Sequence, residues 1–148
     1  MAEPARTIAL VACVGRKLDH PAAAKDLYKS DWFKKASSYA RSVTKAWYIL
    51  SAEYGLVHPD QVIEPYNKTL NEMSSRERRA WAAGVIPEVG KVVNRGDRIV
   101  MLAGARYREL LIEPLHELGC SVEVPMKGML IGKQLQWLNK QFALSHAR

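Results

Sequence analysis

Short apolar runs alternate along this chain with segments whose apolar residues recur at helical spacing. Thr7 to Cys13, TIALVAC, is a run of strand length with β-branched members and predicts a buried strand. Trp32, Ala36, Tyr39, Ala40 and Val43 share one face of a helix predicted over Asp31 to Val43, with Ser30 placed to cap its first turn. Ala46 to Ser51, AWYILS, reads as a second strand. Ser74-Ser75-Arg76-Glu77 has the spacing of a capping box and opens a helix to about Val93, with Trp81, Val85, Val89 and Val92 on its face and a kink expected at Pro87. Arg98 to Ala103 is a third strand, and Gly104 leads into a helix carrying Tyr107, Leu110, Leu111, Pro114, Leu115 and Leu118, ended by Gly119. Ser121 to Pro125 is a short fourth strand, and Ile131, Leu135, Leu138 and Phe142 mark a final helix.

Continuously apolar strands alternating with helices predict an α/β fold: a three-layer domain whose mostly parallel central sheet, of about four strands, is covered by helices on both faces. The 148 residues fit one such domain, residues 1–148, with flexible ends expected at 1–6 and 145–148. Parallel sheets bind ligands beyond the carboxyl ends of their strands. The residues following three of the strands are Cys13-Val14-Gly15-Arg16-Lys17, Ser51 to Gly55, and Gly104-Ala105-Arg106-Tyr107, so a parallel sheet gathers them on one rim.

Composition narrows the partners. Lys and Arg number 22 against 15 Asp and Glu, a net charge of +7, which favours phosphate-bearing partners without establishing nucleic acid. No apolar run reaches the length of a membrane span and Met1 to Arg6 lacks a signal-peptide core, so the expected setting is the cytoplasm, away from membranes. Cys13 and Cys120 match neither a zinc pattern nor a disulfide framework, and His20, His58, His116 and His146 show no ligand spacing, so neither metal nor cofactor is predicted. CVGRK has neither the P-loop nor the dinucleotide-binding spacing, yet Arg16 and Lys17 are placed to meet a phosphate at the rim.

The segment Leu50 to Leu70, LSAEYGLVHPDQVIEPYNKTL, is unusually rich in hydrogen-bonding side chains for a connection, and Pro59 and Pro65 stiffen it. Together with CVGRK, LYKSDWFKKA, GARYRELLIEPL and IGKQLQWL, it resembles an uncharacterised bacterial and phage domain family of about this length. The block LSAEYGL followed by Pro65-Tyr66 is also similar to a block in the YaaA type of DNA-binding stress proteins and in a domain of archaeal tRNA-guanine transglycosylases. The resemblance implies a nucleic-acid context, antiviral defence against phages with modified bases, and a DNA glycosylase that removes such a base. Relatives often carry Asp after the Pro-Tyr pair, where this chain has Asn67.

Cleaving a base from deoxyribose needs a polar or negative group near C1′, a positioned water and a grip on the flipped base. Candidate catalytic residues are Asn67, Glu64 and Glu53; Cys13, Gly15, Arg16, Lys17, Ser51, Tyr54, Tyr66, Gly104, Arg106, Tyr107, Gln134 and Trp137 are candidates for binding the substrate. Lys34, Lys35, Arg41, Arg76, Arg78 and Arg79 are candidates for the DNA backbone. Each has a plainer alternative, Glu53 as a surface carboxylate, Tyr54 and Trp137 as core aromatics, Asn67 with Thr69 as a turn cap. Two further functions share the same residues: glycosyl transfer on a free nucleoside or nucleotide, and noncatalytic DNA binding.

Overall fold

The computed structural model describes residues 5–12 and 15–145, so Cys13 and His146 lie outside the described residues. In chain order the elements are β1 (Thr7–Ala12), β2 (Ala22–Ala23), α1 (Ala24–Leu27), α2 (Asp31–Val43), β3 (Ala46–Ser51), β4 (Gly55–Val57), β5 (Val62–Ile63), a 3-10 turn (Leu70–Glu72), α3 (Ser75–Gly90), β6 (Arg98–Leu102), α4 (Ala105–Arg108), α5 (Ile112–Glu117), β7 (Ser121–Glu123) and α6 (Ile131–Ser145).

The sheet order is β4-β3-β1-β6-β7. β1 pairs in parallel with β3 and with β6, and β6 with β7, whereas β4 returns antiparallel along β3. β1 is central because Ile8 to Ala12 are buried on both faces, the mark of a strand between two helical layers. Ala9 and Val11 face a core with Phe33, Ala36 and Ala40 of α2 and Leu138 of α6. Ile8, Leu10 and Ala12 face the other, with Ala82, Val85 and Val89 of α3 and Leu115 of α5. The α/β expectation holds, with a mixed sheet in which only the β4 edge is antiparallel.

Local signals account for most boundaries. Ser30 Oγ accepts from Phe33 N, and Ser74 and Glu77 cap each other reciprocally. The buried stripe of α2 is Phe33, Ala36, Ser37 and Ala40; Trp32 and Tyr39 lie half-buried beside it and Val43 is exposed. α3 runs through Pro87, which with Ala83, the residue whose carbonyl loses its donor, is on the solvent side. The single helix expected after Gly104 is instead two short ones. Pro114 offers no N–H to Leu110 and its ring would strike that carbonyl, but it fits the first turn of α5. The long connection after β3 is not featureless either, since it contains β4, β5 and the 3-10 turn.

Asp97, buried before β6, accepts from Arg6 N (3.1 Å), Asn94 N (2.8 Å) and the Arg6 guanidinium (3.0 Å). Burial alone would raise its pKa, but these donors outweigh it and hold the carboxyl below the usual carboxylate range. Asp97→Ala leaves the amides unpaired and is expected to cost about 3 kcal/mol in urea unfolding. Because the folded pKa is depressed, wild-type stability is full above the unfolded carboxylate value and is lost as pH falls through the folded value. The variant should lack that part of the acid transition; an unchanged profile would remove Asp97 as its cause.

Candidate functional site

Two loops leave the carboxyl-end rim and face each other across an open cleft of about 730 Å³. Gly15, Arg16, Lys17 and Leu18 form one wall, following β1; Pro65 to Thr69 and Glu72 form the other. The chain leaves β1 toward α2 and β3 on one side, while β6 lies on β1's other side, so this rim holds the sheet's switch point.

Backbone pairing builds the walls. Lys17 bridges Tyr28, with Leu18 N donating to Leu27 O and Lys29 N to Arg16 O, both at 2.8 Å. Farther along, β2 pairs antiparallel with β5, Ala24 N donates to Gln61 O (2.8 Å) and Lys25 N to Pro59 O (2.9 Å). The two loops are therefore one joined lobe. Gly15 has φ 127°, a conformation that L side chains rarely adopt, so its glycine is required by the turn. Gly104 is not so required: its φ is −64° and a Cβ there would meet open space.

Side chains tie the walls to each other. The hydroxyls of buried Tyr28 and half-buried Tyr66 are 2.7 Å apart. Lys17 Nζ donates to Gly15 O (3.2 Å) and lies 4.4 Å from the centre of the Tyr66 ring, close enough for a cation–π contact. The ring of Tyr54 meets Tyr66 edge-on at 5.8 Å. Behind the second wall, Tyr107 Oη accepts from Leu70 N (3.4 Å) and lies 3.5 Å from Thr69 Oγ1. Ser51 is fully buried and its Oγ accepts from Glu53 N and Tyr54 N, turning the chain out of β3.

Of the expected catalytic groups, Asn67 lines the cleft. Glu53 reaches its edge by pairing with Lys68 at 3.6 Å. Glu64 is exposed and outside the lining. Arg16, Lys17, Gly15 and Tyr66 line the cleft; Ser51, Tyr54 and Tyr107 position its walls; Arg106 is exposed at the start of α4, 3.6 Å from Glu109. Gln134 and Trp137 join α2 to α6 instead. Gln134 accepts from Trp32 Nε1 (2.8 Å) and donates to Met129 O, and Trp137 packs edge-on against Tyr39 at 4.9 Å. Cys13 lies outside the described residues.

The basic candidates divide. Arg76 and Arg79 are exposed on the first turns of α3, which starts at the rim. Arg78 is spent on structure, its side chain only 12% exposed and joined to Met73 O and Glu109. Lys34 and Lys35 line a groove between α2 and α6, with Lys35 paired to Asp31 at 2.8 Å. Arg41 sits in the last turn of α2, about 15 Å along the axis from that helix's rim end.

Glu72 and Lys68 also line the cleft and Tyr28 braces it through Tyr66, although none of the three was expected from the sequence. The Thr69-x-x-Glu72 spacing was a usable signal of a local turn, and Thr69 Oγ1 does accept from Asn71 N (3.2 Å). Nothing local marks Tyr28, whose partner is far away in sequence. Among the described residues no group of His, Cys, Asp and Glu is arranged to hold a metal ion, and no helix is long and apolar enough to cross a membrane.

Residues 8–140 match a protein family of unknown function, DUF6884. The chain belongs to that family. No curated protein matches it.

Tyr28→Phe should lower stability by about 1 kcal/mol in urea unfolding. A cycle with Tyr66→Phe should show a coupling of about 1 kcal/mol, because either change breaks the same bond. Additive effects would mean the hydroxyls do not hold the walls together.

Proposed function

We propose that the protein is a DNA N-glycosylase that removes a modified base, such as a hydroxymethylated or glucosylated one in phage DNA, within the cytoplasm. The observation that carries this reading is the cleft, which sets an amide (Asn67) and a carboxylate (Glu72) beside an aromatic ring (Tyr66) and three cations (Arg16, Lys17, Lys68). The similarity of LSAEYGL and Pro65-Tyr66 to the YaaA-type and transglycosylase-associated blocks points the same way.

In this reading the target nucleotide leaves the stack and its base enters between Arg16-Lys17 and Tyr66-Asn67. As the bond from C1′ to the base nitrogen stretches, the sugar gains oxocarbenium character. Glu72 takes a proton from the water that adds to C1′, Asn67 orients that water, and the departing base is protonated from solvent or through a cleft cation. Glu53 is the alternative carboxylate, held at the edge by Lys68. Arg76 and Arg79 supply phosphate contacts around the extruded nucleotide.

The assay incubates protein with unmodified, hydroxymethylated and glucosylated DNA in the presence of chelator, and reads released base by mass spectrometry and abasic sites by alkali cleavage. At least one modified DNA should yield both products. Asn67→Ala and Glu72→Gln should each slow the reaction by about 10²-fold or more while DNA still shifts in a gel. Arg76→Ala with Arg79→Ala should weaken binding and reduce the salt slope by roughly 1.8, the value for two phosphate contacts. No released base from any DNA would sink the glycosylase reading; turnover of free nucleotides instead would move the same cleft to small-molecule glycosyl transfer.

A further inference from the structure

At the other end of β3 from the cleft lies a depression of about 280 Å³, lined in part by Lys25, Arg41, Lys45, Tyr48, His58 and Asp60. Its basic groups come from separate places in the chain: Lys25 from α1, Arg41 from the last turn of α2, Lys45 from the turn before β3, and His58 from just after β4. Like charges brought together at a concave surface repel unless an anion joins them.

Asp60, the one carboxylate in the lining among the described residues, is already engaged, 2.9 Å from Lys25 Nζ. Their hydrogen bond and mutual charge hold the Asp60 carboxyl below the usual range and raise the Lys25 ammonium, while the nearby Arg41 charge pushes Lys25 the opposite way. Among the described residues no carboxylate lies within ion-pair distance of Arg41 or Lys45. His58 Nδ1 accepts from Asp60 N at 3.1 Å, which puts the neutral ring's proton on Nε2 and makes that nitrogen a donor in either protonation state. Backbone is open here as well. β4 pairs only with Ile49 to Ser51, so the outer edge of Ala46 to Tyr48 carries no strand among the described residues.

We infer that this depression is a binding site for a phosphate group, with Arg41, Lys45 and His58 as donors and Asp60 holding Lys25 in place beside them. A phosphate offers several acceptor oxygens and enough charge to balance the two unpaired cations. The source favoured by this geometry is a DNA backbone. β3 is about 17 Å long and the cleft lies beyond its far end, so a strand engaged in the cleft would present a phosphate here at least roughly five base steps away. That extension rests on the glycosylase reading, whereas phosphate binding itself does not.

The test has two arms. In the first, inorganic phosphate is titrated into the whole protein while amide resonances are followed by NMR. Saturable shifts are expected at Lys45, Trp47 and His58, and the exposed pair Arg41→Ala with Lys45→Ala should weaken them by about tenfold or more with the fold intact by circular dichroism. Shifts that do not saturate, or that persist unchanged in the double variant, overturn the site. The second arm measures affinity for a 20-base-pair duplex against salt. A slope reduced by roughly 1.8 in the double variant assigns the phosphate to DNA. Phosphate binding with an unchanged DNA slope upholds the site and assigns it to a free phosphate compound. Wild type that binds phosphate but no DNA overturns the glycosylase reading and leaves the site standing.

Discussion

Backbone groups that leave a sheet must find partners, and here the two polar loops that leave β1 and β3 satisfy each other. The Lys17–Tyr28 bridge folds the first loop back on itself, and β2 with β5 joins it to the second. A single loop of either kind would lie on the surface with its amides in water. Joined, they rise from the rim as a lobe with an opening on one side, and the cleft is that opening.

The joint also sets what lines the cleft. Pairing Ala22 with Ile63 and Ala23 with Val62 fixes the register of everything that follows in the second loop, so Tyr66 meets Tyr28 and Asn67 and Glu72 fall on the open side. The core below is rigid by contrast: β1 is buried on both faces and Trp81 donates to Ser51 O across the α3 face at 2.9 Å. A stiff floor under two cross-linked walls is how a site gains precision when its residues stand on loops.

The α/β architecture was legible because its signals are local. Continuous apolar runs marked β1, β3 and β6, and Ser30 and the Ser74–Glu77 box marked the starts of α2 and α3. The rim followed from those strands being parallel. Lining of the cleft by Arg16, Lys17, Tyr66 and Asn67 was readable from their positions after strands or inside the long connection. What escaped depends on pairing over distance. β2, β4 and β5 are too short to show a period, Tyr28 gains its place only through Tyr66, and Gln134 and Trp137 are drawn to α2 by Trp32 and Tyr39. The basic residues show the same limit, since charge reads identically whether a side chain is exposed like Arg79 or tied down like Arg78.

In the proposed function a nucleotide is held between the Gly15–Leu18 and Pro65–Thr69 walls. The most direct measurement is a structure of the protein with a duplex whose modified nucleotide carries a 2′-fluoro group, which slows bond breaking by disfavouring the oxocarbenium state. That nucleotide is expected out of the stack, its base against Tyr66 and its C1′ facing Asn67 and Glu72. A duplex bound elsewhere, or an unflipped nucleotide with the cleft empty, would contradict the proposed function.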